Sequence, residues 1–417
     1  MKQNSSQPML NLPVWLISLF LGFPQISETI FTPSLPDISA SLHVENHQVS
    51  MLLSIYFAGF SLGVFLWGVL SDRIGRRAAM LAGLFIYICG SLGCCISGGL
   101  IALLLSRFVQ ALGASAGSVV TQTMIRDVYV GSKRSEVFGV VGAALAFSPA
   151  IGPVLGGFID QYFSWKANFF FLFVMGLILF WVGTKYLVET RLTNSIPSSS
   201  SQIFVVGKKI FTDLRVIRFA VLIAAYNGII FSYYGEAPFT VVEILHYTPS
   251  QYGFLGLVVS SVFFAAAKTS NLLLRRYDSH DVIVLGSFCS HAGAMLFLGL
   301  AYLGLIDASH GFLAVVALMA PVSVIFFGIG MMLPNCLSIA LSEYQHVLGT
   351  AASWFGLMYY VLIAFFTEMI GFLHDGTVFP MPIYFFVLTG LMVVLTYHRY
   401  ASHWYNAVYR TWKIDKY

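Results

Sequence analysis

Three glutamates, one arginine and one glutamine stand inside otherwise apolar runs: Glu28, Glu236, Glu368, Arg107 and Gln110. A carboxyl among apolar groups keeps its proton to higher pH than one in water, because burial disfavours the charged form. A neighbouring arginine pulls the other way. These residue types can therefore exchange a proton near neutrality, or hold an organic cation against a carboxylate. Glu28 lies about midway along its run, between Pro24 and Pro33, and leads as the proton and cation site. Glu236 lies near the end of its run, where it can be wet, and Glu368 lies late in another. Arg107, Gln110, Gly113 and Gly117 are spaced three, three and four apart, which places them on one helix face. An arginine inside a span normally faces a bundle interior or a wet cavity. Here it either tunes a nearby carboxyl or is satisfied by backbone carbonyls.

Other chemistry is poorly served. His43, Glu45 and His47 are not spaced as H-E-x-x-H, and the five cysteines fall in apolar runs without metal-ligand spacing. No metal and no cofactor is expected; the expected coupling ion is a proton.

The elements that must position these residues follow from composition. Of 417 residues, 58% are hydrophobic and 10% charged, and mean hydropathy is +0.81. A soluble domain carries roughly 25% charged residues. That contrast excludes a cytosolic enzyme, a disordered chain and a nucleic-acid binder. Membrane-spanning helices need about 20 apolar residues each. Such runs predict spans at 13–35, 49–70, 78–97, 100–124, 137–158, 168–187, 217–238, 253–273, 282–304, 312–337, 349–371 and 381–398. They do not alternate as barrel strands would. The expected fold class is all-α and integral to the membrane, with twelve transmembrane helices in two six-helix bundles. The first run shows no small-residue cleavage signature and reads as a retained span.

Charge tests that topology. With both termini placed in the cytoplasm, nineteen of the 22 basic residues, from Lys2 to Lys416, fall on the cytoplasmic side. The positive-inside rule demands this bias. The expected domains are 1–190, a linker at 191–216, 217–400, and a cytoplasmic tail at 401–417. The linker holds Pro197 and a serine run, Ser198 to Ser201. It then turns amphipathic, with Ile203, Phe204, Ile210, Phe211 and Leu214 beside Lys208, Lys209 and Arg215, as suits a helix on the membrane surface.

Between spans two and three stand Gly68, Asp72, Arg73, Gly75, Arg76 and Arg77. Gly75 permits a tight turn. Asp72 is the one acid among three arginines and reads as a gate latch, favoured beside a helix N-terminus. This stretch resembles the signature loop of the major facilitator superfamily, G-x-x-x-D-R-x-G-R-[RK]. Arg107 to Gly113 resembles its R-x-x-Q-G motif, with Ala111 at the usual glycine. Arg126 and Asp127 resemble the RD pair of drug transporters. Span five holds Pro149, Gly152, Pro153, Gly156 and Gly157, similar to the G-P-x-x-G-G motif of drug/proton antiporters. Phe31 to Pro36, Tyr234 to Phe239 and His374 to Met381 resemble motifs of the Bcr/CflA-type drug-resistance transporters. In many of those relatives the span-one acid stands where this chain has Thr29, about 100° around the helix from Glu28.

The resemblance implies a proton-coupled secondary transporter of the inner cell membrane, exporting small amphipathic compounds by alternating access, and monomeric. The alternative is a transporter of the same fold that moves a specific metabolite or siderophore, in either direction. Its expected partners are a small-molecule substrate, lipophilic or cationic, and the lipid bilayer, with no nucleic acid. An enzyme is not expected, since no nucleophile or metal constellation is present.

Overall fold

Pro33 prevents the first apolar run from forming one helix. In the computed structural model, which describes residues 12–145, 148–191 and 200–414, α1 (Val14–Thr29) is followed by a 3-10 turn at Thr32–Ser34 and then by α2 (Leu35–Leu42). Pro33 has no N–H to give the carbonyl four residues back. Thr32 Oγ1 donates to Thr29 O instead, at 2.9 Å. The turn therefore offers polar side chains at a point where an unbroken helix would not.

The remaining helices are α3 (Asn46–Ile74), α4 (Arg76–Ile96), α5 (Leu100–Val128), α6 (Gly131–Leu145), α7 (Ser148–Tyr162), α8 (Trp165–Tyr186), α9 (Ser200–Thr212), α10 (Leu214–Pro238), α11 (Pro249–Leu273), α12 (Ser279–Tyr302), α13 (Phe312–Ala340), α14 (Leu348–Leu373) and α15 (Pro380–Ile414). α10 runs on into a π-helical segment, Phe239–Ile244. Among the described residues, eleven helical stretches are long and apolar enough to cross a membrane. The expected fifth span is occupied by α6 and α7, two shorter helices on either side of residues 146–147. Lys2, Lys416, Pro197 and the first linker serines lie outside the described residues. The backbone expected to form a tail continues α15 to Ile414.

Helix ends follow caps rather than hydropathy. α11 begins four residues before the expected 253, because Thr248 accepts from Gln251 N while Gln251 Oε1 accepts from Thr248 N, a reciprocal capping box. α3 and α4 meet at Gly75, whose φ is +97°, a conformation that favours glycine.

Within the segment before the linker, α5 packs on α1, α3 and α4, and α8 packs on α4. Within the segment after it, α10, α11 and α12 pack on α13, and α15 packs on α12. Two seams join the segments: α3 with α14, and α7 with α11. The expected linker holds α9, which ends at Thr212, so Leu214 and Arg215 start α10 instead. Gly207 of α9 lies against the Trp354 ring, and Trp354 Nε1 donates to Ile203 O at 2.9 Å, which ties α9 to α14.

Candidate functional site

Glu28 ends α1 among aromatic groups and is 9% exposed. It is within electrostatic reach of Arg107, Tyr56, Tyr359 and Tyr360. Thr29 turns away from this group: it donates to Gln25 O at 3.1 Å, and its hydroxyl fills the space over Gly152 of α7. The roughly 100° between the two positions thus separates an interior-facing acid from a helix-packing threonine.

Arg107 is fully buried. Its Nη1 donates to Ser27 O at 3.2 Å and to Gln110 Oε1 at 2.5 Å. Its guanidinium lies 4.1 Å from the Phe31 ring centroid and 4.3 Å from that of Tyr56. Nε and Nη2 have no hydrogen-bond partner among the described residues, so the electron-rich ring faces take the place of acceptors. Gln110 Nε2 donates to Ser91 Oγ at 2.8 Å, and Ser91 Oγ donates to Tyr87 O. Tyr87 and Ser27 share a hydrogen bond of 2.6 Å. A backbone carbonyl thus holds Arg107, and no ion pair joins it to Glu28 among the described residues.

A cavity of about 570 Å³ lies between α3, α5, α13 and α14. Tyr359, Tyr360 and Phe60 form its deep end, and Asp72, Arg76, Arg126 and Asp127 its other end. It reaches the surface at Asp72, whose side chain is 40% exposed. Arg107 connects to it through a chain of ring contacts, from Tyr56 to Phe60 to Tyr360. Gln122, Thr123, Ser338 and Ser353 add hydrogen-bonding groups to its wall. The result is a mixed polar and aromatic pocket, the usual composition of a small-molecule site.

The loop at the mouth is built around Arg76. Its Nε donates to Asp127 Oδ2 at 2.9 Å, and its Nη1 donates to Asp72 Oδ1 at 2.5 Å. Asp72 and Asp127 thereby share one buried cation. The carboxylate seated over the N-terminus of α4 is Glu189, not Asp72. Glu189 Oε1 accepts from Arg76 N at 2.8 Å and Oε2 from Arg77 N at 3.1 Å. Arg77 Nη2 donates to Thr184 O, and the Arg73 carbonyl accepts from Arg191. Asp72 also faces Thr350, in the first turn of α14, across a small gap lined by Gly68, Arg73 and Ser353. Arg126 lines the cavity, and its carbonyl accepts from Arg134.

At the opposite end the two segments touch. Ser54 Oγ of α3 hydrogen-bonds Glu368 of α14, Asn46 donates to Glu243 at 3.0 Å, and Ser50 reaches Gly235 O. Glu236 is 2% exposed rather than wet, and His374 Nδ1 lies 2.7 Å from its Oε1. Glu28, Glu236 and Glu368 thus occupy three separate settings. In α7, Gly156 backs onto Ile30 O, just past the end of α1, and Gly157 onto Pro249 O of α11. Gly253 of α11 meets Pro153 O, and the side chain of Pro149 lies outside the described residues. Sequence reasoning missed Glu189 and Ser54. The Glu-Thr-Arg stretch closing span six was the available signal for the first.

The sequence profile described as Major Facilitator Superfamily matches residues 17–367. The chain belongs to that superfamily. Its members are transporters and not enzymes. The chain is 35% identical over 381 residues to an uncharacterised transporter of Rickettsia bellii, covering 91% of this chain and 94% of the relative. It is 28% identical to a chloramphenicol resistance protein of Pseudomonas aeruginosa, covering 92% and 89%. Its fold is similar to that of the xylose transporter XylE from E. coli in a partially occluded inward open conformation, with a TM-score of 0.71 at 12% identity, covering 92% and 96%. A major facilitator transporter with a cavity open at the signature loop and contacts closed at the other end is the arrangement that the helices build.

Proposed function

We propose that this transporter exports small amphipathic compounds, drugs among them, in exchange for protons, with Glu28 as the proton and cation site. The observation that carries the reading is a buried Glu28 within electrostatic reach of Tyr359 and Tyr360, which line the 570 Å³ cavity. There a carboxyl can exchange its proton for a bound substrate without opening to both sides at once. Arg107 tunes it through space, and Gln110 and the Tyr56 ring hold Arg107 in place. Moving one proton down a potential of about 100 mV yields roughly 2.3 kcal/mol. Likeness to a chloramphenicol resistance protein supports the cargo class.

The signature-loop end is assigned to the cytoplasm of an inner cell membrane, because the basic residues gather there. The cavity then faces inward, ready to load. Glu28→Gln, assayed in proteoliposomes under an imposed pH gradient with chloramphenicol, cationic dyes and siderophores, should abolish gradient-driven flux while expression persists. Undiminished proton-driven flux in that variant would remove Glu28 from the mechanism. Flux of siderophores alone would instead favour a dedicated metabolite carrier.

A further inference from the structure

Arg126 stands on the cavity wall near its open end. Ser118, Val119, Gln122, Thr123, Arg126 and Asp127 line the cavity from α5. They recur in pairs four residues apart, so they share one helix face. Side chains on a helix tilt toward its N-terminus. α5 runs from Leu100 toward the mouth at Asp127, so this tilt inclines Arg126 into the cavity rather than out past its rim. The residue is partly buried.

The ordinary uses of an arginine at this place are already filled. A basic side chain near a helix C-terminus commonly serves the last carbonyls. Here Arg134 does so, donating to Tyr129 O at 2.7 Å and to Arg126 O at 3.1 Å. The acids nearby are also held. Asp127 Oδ2 accepts from Arg76 Nε at 2.9 Å and from Thr190 Oγ1 at 3.4 Å, and Asp72 Oδ1 accepts from Arg76 Nη1. Among the described residues, the Arg126 side chain donates no hydrogen bond and joins no ion pair. A planar fork of N–H donors therefore faces a cavity of about 570 Å³ without a protein acceptor. The other end of that cavity is aromatic. The Phe60 and Tyr360 ring centroids lie 4.7 Å apart, and those of Tyr359 and Tyr360 4.5 Å apart.

We propose that Arg126 is a cargo-binding residue, and that the cavity takes planar aromatic compounds bearing a carboxylate. The ring body lies against Tyr359 and Tyr360, and the carboxylate meets the Arg126 fork, whose geometry it matches. Cationic compounds without such a group are held by the aromatic end alone and bind more weakly. The inference rests on the reading of this cavity as the cargo site and adds the class of cargo. The test uses the full chain in a neutral detergent, with fluorescence anisotropy of two xanthene dyes, anionic carboxyfluorescein and cationic rhodamine 123. The wild type should bind carboxyfluorescein about tenfold more tightly, the size expected of a charge-assisted hydrogen bond. Arg126→Gln should remove that preference and leave rhodamine 123 binding as it was. Arg126→Lys should fall between, because an ammonium keeps the charge but loses the fork. In a background without the five native cysteines, carboxyfluorescein should protect Gln122→Cys from a thiol reagent, and Arg126→Gln should abolish the protection. Binding of both dyes that ignores Arg126, or carboxyfluorescein binding that leaves Gln122→Cys open, overturns this proposal alone. Binding of neither dye overturns it together with the reading of the cavity as the cargo site. Should Arg126→Gln fail to fold, Arg126→Lys carries the comparison, and an unchanged carboxyfluorescein affinity in it overturns the proposal.

Discussion

Glu189 and His374 are titratable residues at opposite ends of the bundle, both outside the spans, and their environments push them in opposite directions. Burial alone would raise the Glu189 carboxyl, but the backbone N–H groups of Arg191, Arg76 and Arg77 outweigh it and hold the group below its ordinary value of 4.5. Its contribution to stability is present above that value and is lost as pH falls through the depressed one. His374 is raised above 6.5, chiefly by its hydrogen bond to Glu236. Its contribution is full below 6.5 and is lost as pH rises through the higher folded value. Thermal melting of the detergent-solubilised chain should separate the two. Glu189→Ala should destabilise the fold at neutral pH by roughly 0.5–2 kcal/mol, as for a lost helix cap, seen as a lowered melting temperature, with the deficit shrinking in acid. His374→Gln should show its deficit in mild acid and lose it toward alkaline pH. Deficits that ignore pH would mean both residues act by packing alone. Neither pairing could be read along the chain: Glu189 meets Arg76 across 113 residues and His374 meets Glu236 across 138. By contrast, the shared face of Arg107, Gln110, Gly113 and Gly117 was legible, because helical periodicity alone fixes it.

At the scale of elements, α7 is a wedge between α1 and α11, and its glycines set how deeply it enters. Hydropathy located the spans because each must cover its backbone in lipid with apolar side chains. It missed the break after Thr29 and the early start of α11, which depend on a proline and on a capping box rather than on mean apolarity. It also gave no view of seams, since these depend on which small residue meets which carbonyl. A side chain at Gly156 would run into Ile30 O, whereas one at Gly139 of α6 meets nothing within 4 Å. Gly156→Ala should therefore cost about 1–3 kcal/mol, the usual price of overpacking. Gly139→Ala should be neutral or gain up to about 1 kcal/mol from helix propensity. Melting curves of the two variants check this, and equal effects would show that α1 and α7 yield freely to each other. The same wedge explains why a one-residue difference in register matters near the site: Thr29 fills the seat over Gly152, which leaves Glu28 to face the tyrosines.

For the whole molecule, the question is how closure at one end is coupled to opening at the other. α3 and α14 touch from Ser50 and Gly371 at the outer end to Gly68 and Ser353 near the loop, so this seam can act as a hinge along its length. The outer contacts, Ser54 with Glu368 and Asn46 with Glu243, must break before substrate can leave on that side. A Cβ added at Gly371 would lie 3.4 Å from the Ser50 Cβ. That is close to the roughly 3.5–4.5 Å separation found in disulfides. In a background without the five native cysteines, Ser50→Cys with Gly371→Cys should cross-link under mild oxidation with little backbone movement. The bond would hold the outer end shut, so proton-driven flux should stop on oxidation and return on reduction. A third cysteine at Gln122, in the cavity wall, should remain open to an impermeant thiol reagent from the loop side throughout. Alternating access requires this asymmetry: one locked end abolishes flux without closing the other. Full flux through the oxidised protein would mean that α3 and α14 need not part at the outer end, and that release runs instead through the α7–α11 seam.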